Sequence, residues 1–120
     1  MSPYIFPGVE KRHKHTNLIN ALTGYVAESH GITVAQIKSD SRKAKVKNPR
    51  FICMYMLRTF TDLTLDIIAE SYGRKSHGSV LNAVSDVEFQ TSLSTAQAKY
   101  TANYIKELER KFITSKYLIT

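Results

Sequence analysis

Residues 64–90 constrain the fold most, because they read as two short amphipathic helices separated by a tight turn. Thr64 is placed to cap the first helix, Gly73 is a typical left-handed helix stop, and Ser76 is placed to cap the second helix. Apolar residues recur at helical spacing in both segments, namely Leu65, Ile68, Ala69 and Tyr72, then Val80, Leu81, Ala83, Val84 and Val87. Two helices joined by a few residues that include glycine indicate a helix-turn-helix.

The N-terminal end of the second helix carries short polar and basic groups. They are Lys75, Ser76, His77, Gly78, Ser79 and Asn82. Such groups suit the base edges of a DNA major groove, which present hydrogen-bond donors and acceptors. The same pattern also fits two ordinary amphipathic helices in an α-helical domain, so the pattern alone leaves both interpretations open.

The positive charge of the chain is concentrated in one stretch. The formal net charge is +7, from 17 Lys and Arg against 10 Asp and Glu. Residues 41–61 contain no acid, and their cations are Arg42, Lys43, Lys45, Lys47, Arg50 and Arg58. A patch of one sign predicts an anionic polymer or a membrane surface as partner. The alternative is a solvated basic loop.

Several classes of protein are not expected from this sequence. A single cysteine, Cys53, excludes an intramolecular disulfide framework and fits a reducing compartment. No apolar run approaches the roughly 18 residues that span a bilayer, and the N-terminus lacks the order of a secretory signal. We therefore expect a cytoplasmic protein. His13 and His15 suggest no third metal ligand, and the acids are scattered, so we predict no metal, no cofactor and no enzymatic activity.

The remainder of the chain predicts an all-α helical bundle with an additional C-terminal amphipathic helix. Residues 1–15 are expected to form a flexible basic arm that ends in KRHKH, and residues 16–30 the first helix, capped by Thr16. A capping box from Thr33 to Gln36 predicts a short helix to about residue 39 that buries Val34 and Ile37. Residues 40–48 are then expected to form the basic loop.

Two further helices complete the predicted bundle. Asn48 followed by Pro49 predicts the start of a central core helix that runs to about residue 61. Arg50 and Arg58 are expected on the same side of it. The last helix is predicted over residues 95–112, and its apolar stripe consists of Ala96, Tyr100, Tyr104, Ile105, Leu108 and Phe112. We expect this stripe to pack on the same chain, with dimerisation as the alternative.

From residue 24 to residue 89 the sequence resembles a known family. The segment VAESHGITVAQIKSDSRKAKVKNPRFICMYMLRTFTDLTLDIIAESYGRKSHGSVLNAV is similar to the C-terminal DNA-binding domain of the bacterial chromosomal replication initiator DnaA, a Trp-repressor-like helix-turn-helix. The matching anchors are Arg42 in the loop, Pro49-Arg50, Leu65 with Ile68-Ala69, and His77 followed by Ser79-Val80-Leu81 and Ala83. No GxxxxGK[ST] phosphate loop occurs, so the resemblance does not include the ATPase module of the initiator.

The resemblance implies roles for individual residues. Arg42 matches an arginine that inserts into the minor groove, and Arg50 and Arg58 match positions that hold backbone phosphates. His77 matches a histidine near the start of the recognition helix. The other DNA-binding positions are predicted to be Lys43, Lys45, Lys47, Asn48, Thr64, Lys75, Ser76, Gly78, Ser79 and Asn82.

Departures from the family pattern predict either an altered target site or a reliance on backbone charge and DNA shape. Ser76 stands at an aspartate position, Gly78 and Ser79 stand at threonine positions, and Asn82 stands at a histidine position, where a bidentate contact to adenine becomes possible. The domain division predicted is an arm at 1–15, the helix-turn-helix domain at 16–90, and a C-terminal helix and tail at 91–120. The expected function is binding of double-stranded DNA in replication, its regulation or transcription. The alternative is an adaptor that binds a replication protein through the C-terminal helix.

Overall fold

The chain folds into helices joined by short connections. The computed structural model describes the backbone of residues 7–113 and the side chains of residues 15–113. The elements are α1 (Pro7–Ser29), α2 (Val34–Ile37), α3 (Ala44–Phe60), α4 (Leu65–Ser71), α5 (His77–Ser92), α6 (Ala96–Leu108) and a π-helical turn (Glu109–Ile113). The prediction of an all-α fold is confirmed, and α4 and α5 form the predicted helix-turn-helix.

Helix α3 is the centre of the core, as predicted. It packs against α1, α2, α4, α5 and the π-helical turn. Its buried apolar residues include Ile52, Cys53, Met54, Met56 and Leu57. Burial of a side chain of this size contributes about 1.5–3 kcal/mol, so a helix that is apolar over more than half its circumference is stable only when surrounded. The bundle around α3 therefore follows from the width of its apolar face.

Local capping signals fixed several helix ends where the sequence placed them. The Gln36 amide N–H donates to the Thr33 hydroxyl at 3.1 Å, and the Thr33 N–H donates to the Gln36 side chain at 2.9 Å, which completes the predicted capping box. The Thr64 hydroxyl accepts from the Ile67 N–H at 3.2 Å at the start of α4. Gly73 has φ +69° after α4, the left-handed conformation that favours glycine.

Two predicted helix starts are wrong. Helix α1 begins at Pro7 rather than at Thr16, since proline is tolerated at the first helical position and no second proline occurs before the helix ends at Ser29. Residues 1–6 of the predicted arm lie outside the described residues. Helix α3 begins at Ala44 rather than after Asn48, and Pro49 lies inside it. The buried side chain of Val46 anchors this additional first turn. Pro49 has no N–H to donate, so one carbonyl of the first turn lacks its helical hydrogen bond, and the other helical hydrogen bonds are kept.

Four residues predicted to be apolar contacts are exposed instead. They are Val34, Leu81, Ala96 and Tyr100. In α6 the physical reason is the interval of four, because each such step advances about 40° beyond a full turn and the stripe drifts around the helix. The face of α6 that packs consists of Ala98, Ile105 and Leu108. In α2, a helix of one turn turns only Ile37 toward the core.

The C-terminal helix folds back on the same chain. The Tyr25 hydroxyl donates to the Glu107 carboxylate, which joins α1 to α6. The rings of Tyr25 and Phe112 meet edge to face with centroids 5.5 Å apart, and those of His30 and Tyr104 are 5.4 Å apart. These contacts confirm the expectation that this helix packs within the chain.

A buried polar contact crosses the core beneath the helix-turn-helix. The hydroxyl groups of Thr23 in α1 and Tyr72 at the end of α4 are hydrogen-bonded at 2.7 Å. Cys53 is fully buried, and burial raises the pKa of its thiol to about 12. The thiol is therefore neutral at physiological pH. Cys53 is a core residue, in agreement with the sequence.

Candidate nucleic-acid interface

The basic loop between α2 and α3 is fixed by a buried arginine. Arg50 is only 3% exposed. Its Nε donates to the Ile37 carbonyl at 2.7 Å, and its Nη2 donates to the Ser41 carbonyl at 3.0 Å. Burial lowers the pKa of Arg50, the positive charge of Arg74 lowers it further, and Asp40 opposes both effects. The guanidinium nevertheless stays charged, and it fastens both ends of the connection to α3.

A second arginine ties the same loop to the turn of the helix-turn-helix. The Arg74 Nη2 donates to the Ser39 carbonyl at 2.5 Å, and its Nε donates to the Tyr72 carbonyl at 3.1 Å. Gly73 permits this close approach, because a Cβ at that position would lie 2.9 Å from the Lys38 carbonyl oxygen. The turn between α4 and α5 and the basic loop therefore form one joined surface.

A groove lies between this loop and the first turns of α5, and we call it the loop–α5 groove. It encloses about 490 Å³ and is lined by Asp40, Arg42, Lys47, Arg50, Phe51, Met54, Arg74, Ser79 and Asn82. Its cations outnumber its single acid, so the groove attracts anions. The structure thus brings the predicted loop residues Arg42 and Lys47 together with the predicted α5 residues Ser79 and Asn82.

The tip of α5 presents its polar groups to solvent. Ser76 is the N-cap residue, although its side chain makes no capping hydrogen bond. His77 Nε2 is hydrogen-bonded to the Asp66 carboxylate of α4, and both side chains are exposed. Lys75, Ser76, His77, Gly78 and Asn82 are all exposed, while Ser79 is half-buried. Most of these predicted site residues are therefore accessible to a partner.

The other predicted site residues are divided among different surfaces. Lys45 and Asn48 line a second cleft, of about 330 Å³, that also includes Asp86 and Tyr100. Lys43 is exposed at the N-cap of α3, and the Lys47 ammonium lies 5.5 Å from the centroid of the Phe51 ring. Thr64 is exposed and caps α4.

Arg50 and Arg58 do not form the exposed pair that their spacing suggested. Arg58 is exposed in the last turn of α3, whereas the guanidinium of Arg50 is buried among loop carbonyls. The spacing of eight residues describes where the two Cα atoms lie and says nothing about the carbonyl groups near Arg50. The structure gives Arg50 a positioning role in the loop.

Sequence reasoning missed Arg74 and Asp66. Arg74 directly follows Gly73, the glycine that ends α4. A glycine often marks a place where two backbone segments come close, as Gly73 and Lys38 do here, so a basic residue next to it was the available signal for a contact with loop carbonyls. Asp66 lies in the first turn of α4, where an acid is favoured by the helix dipole regardless of function. Its pairing with His77 depends on the angle between α4 and α5, which the sequence does not reveal.

The described part of the chain shows neither a membrane-spanning helix nor a metal-binding cluster. Within it, no helix combines the length and the apolar character needed to cross a membrane. Among the side chains of residues 15–113, no three or more His, Cys, Asp or Glu side chains are grouped so that they could hold a metal ion.

Known proteins with similar sequences cover the part of the chain that builds this surface. The family model described as the bacterial DnaA protein helix-turn-helix matches residues 14–87. The chromosomal replication initiator protein DnaA of Gloeobacter violaceus is 35% identical over 68 residues, which cover 57% of this chain and 15% of that protein. The protein of the same name from Spiroplasma citri is 32% identical over 105 residues, which cover 82% of this chain and 23% of that protein.

A third relative matches about two thirds of the chain. The DnaA protein of Gloeothece citriformis is 33% identical over 81 residues, which cover 68% of this chain and 17% of that protein. The chain therefore spans less than a quarter of the length of these relatives. Because the family model covers more than half of it, including all of α4 and most of α5, the chain belongs to the bacterial DnaA helix-turn-helix family.

Proposed function

We propose that this protein binds double-stranded DNA, with the first turns of α5 in the major groove and the basic loop across the adjacent backbone and minor groove. The observation that carries the proposal is the loop–α5 groove, where Arg42 and Lys47 face the same concave surface as Ser79 and Asn82. Specific DNA recognition has two parts, namely cations that contact phosphates and polar groups that contact base edges.

The loop is held ready for this contact before any DNA arrives. Arg50 and Arg74 hydrogen-bond three carbonyls of residues 37–41, so the loop backbone has fixed partners inside the protein. Fixing a flexible residue on binding costs about 1–2 kcal/mol of conformational entropy. A loop already fixed in the free protein avoids most of that cost, which supports a binding role for the loop rather than a merely solvated one.

The residues divide into three roles in this proposal. Arg42 enters the minor groove, and His77 and Asn82 meet bases in the major groove. The groups that contact the DNA backbone are exposed except for the half-buried Lys47 and Ser79. They are Lys43, Lys45, Lys47, Asn48, Arg58, Thr64, Lys75, Ser76, Gly78 and Ser79. Arg50 acts from the interior by positioning the loop, and we do not assign it a phosphate contact.

The relatives that match this chain are named as chromosomal replication initiators. We propose that the chain acts in replication or its regulation at the bacterial nucleoid, with transcriptional control as the alternative biological setting. Residues 16–90 carry the DNA contacts, and residues 91–120 supply α6 and the tail. We propose no catalytic activity and no cofactor for this surface, and dimerisation through α6 stays a prediction.

The test is binding of a fluorescent duplex measured by anisotropy across a range of salt. If about six phosphates are neutralised, log K falls against log salt with a slope near −5. Arg42→Ala should weaken binding, while Lys99→Ala on exposed α6 removes the same charge without effect. Binding that does not depend on salt contradicts the proposal. Capture of a protein partner after nuclease treatment, with no retention on duplex DNA, favours the adaptor instead.

A further inference from the structure

Leu81 is an apolar residue on the polar face of α5. Its periodicity predicted a core position, yet its side chain is 49% exposed. The residues of α5 that do face the core are Val80, Ala83 and Val87. Single exposed leucines are common on protein surfaces, so exposure alone assigns nothing. The position of Leu81 on the helix carries the argument.

Leu81 lies between the two side chains proposed to meet bases. At about 100° per residue, Leu81 is offset by about 40° from His77 around the helix axis, and Asn82 lies about 100° beyond Leu81. The arc from His77 to Asn82 is therefore about 140°, and Leu81 falls inside it. Any docking that brings both His77 and Asn82 to the DNA also turns Leu81 toward the duplex.

The surface beside Leu81 is open. Side chains on a helix lean toward its N-terminus, so Leu81 lies over the preceding turn, which contains His77 and Gly78. Gly78 contributes no side chain, and even a Cβ built there would meet only the Ser76 hydroxyl, at 3.4 Å. A partner group can therefore approach Leu81 over Gly78, beside the exposed His77 ring, because Gly78 places no side chain in the way.

We propose that Leu81 is a specificity-determining residue that contacts the 5-methyl group of a thymine in the major groove. The inference rests on the proposed function and names one base that the surface reads. Thymine is the one base that presents a methyl group in the major groove, and apolar side chains are the groups that recognise it. A hydrogen-bonding partner for Leu81 is excluded by its chemistry.

The experiment removes the methyl group and nothing else. Duplexes that the wild-type protein selects from a random pool are resynthesised with single thymines replaced by deoxyuridine, and affinities are measured by anisotropy. Burial of one methyl group corresponds to about a fourfold change in affinity. One replacement should weaken wild-type binding about fourfold, and Leu81→Ala should bind the thymine and deoxyuridine forms of that duplex equally.

Leu93→Ala is the matched control, since Leu93 is 39% exposed at the C-terminal end of α5 and undergoes the same change of side chain. It should keep the wild-type response to deoxyuridine. The inference is overturned if no single replacement weakens wild-type binding, or if Leu81→Ala responds as the wild type does. If the wild type retains no duplex at all, the proposed function fails instead, so the two failures are distinguishable.

Discussion

Replacing Arg50 by methionine tests whether this arginine supports the loop from inside. Methionine retains much of the apolar stem, so the change removes the guanidinium without opening a large cavity. Two hydrogen bonds are lost, to the Ile37 and Ser41 carbonyls. Hydrogen bonds that involve a charged group contribute about 1.5–3 kcal/mol each, and removing a buried charge recovers part of that loss through relief of desolvation.

The net expectation is a decrease of about 2–3 kcal/mol in the free energy of unfolding, measured by urea denaturation followed by circular dichroism. The Ile37 carbonyl bond contributes most of it, because that contact is buried, while the Ser41 carbonyl is part-buried and can be hydrated after the change. Arg58→Met is the control in the same helix. Its side chain is exposed, so we expect a change within about 0.5 kcal/mol.

DNA affinity should also fall for Arg50→Met, by about tenfold, because ordering one released loop residue costs about 1–2 kcal/mol on binding. Arg50→Lys separates charge from geometry, since a lysine keeps the charge but cannot reproduce two donors in a fixed fork. We expect it to restore less than half of the lost stability. The reasoning is refuted if Arg50→Met unfolds like Arg58→Met and yet loses DNA affinity, which would indicate a direct phosphate contact.

Three other predictions follow from the same structure. Gly73→Ala should lower the free energy of unfolding, measured by urea denaturation, by at least about 1 kcal/mol, because φ is +69° and the new Cβ would lie 2.9 Å from a loop carbonyl oxygen. Gly24→Ala is the control, since a Cβ there meets no atom within 4 Å, and it should be neutral or stabilising. Arg42→Ala should mainly lower overall affinity, whereas Asn82→Ala should mainly change which sequences are selected from a random pool. Equal effects of the two changes on selection would contradict this division. Burial raises the pKa of Cys53 to about 12, so the thiol of the unfolded chain loses its proton at a lower pH than the thiol of the folded chain. The free energy of unfolding should therefore fall as pH rises above about 9. Cys53→Ala should remove this part of the pH dependence in urea titrations, and an unchanged dependence would contradict the prediction.

The helix-turn-helix was predictable because its signals are local. Thr64 caps α4 through a hydrogen bond to a residue three positions later, and Gly73 ends it through its own φ. Each signal involves a few neighbouring residues, so the sequence contains the whole interaction. The same holds for the capping box at Thr33, which the structure confirms.

The positions that were predicted wrongly depend on contacts between distant parts of the chain. Arg50 was read as a surface cation, since its spacing from Arg58 is visible in the sequence while its carbonyl partners are 9 and 13 residues away. The start of α3 was misplaced because Pro49 is a strong local signal that burial of Val46 outweighs. The spacing of apolar residues in α5 did not show that Leu81 is exposed, because Leu81 directly follows the buried Val80 in the sequence.

The acids of α5 restrict how this helix can meet a duplex. From His77 to Ser92 the helix contains no Lys or Arg, and Asp86 and Glu88 lie in its later turns. A carboxylate close to DNA phosphates is repelled, and no cation on the same helix offsets that repulsion. Arg42 lines the loop–α5 groove with Ser79 and Asn82, and Lys75 directly precedes the N-cap residue of α5, so these two cations lie beside the N-terminal tip instead. A helix charged in this way favours insertion by its tip, with its C-terminal half away from the backbone. That geometry limits base reading to the first two turns, where His77, Leu81 and Asn82 lie.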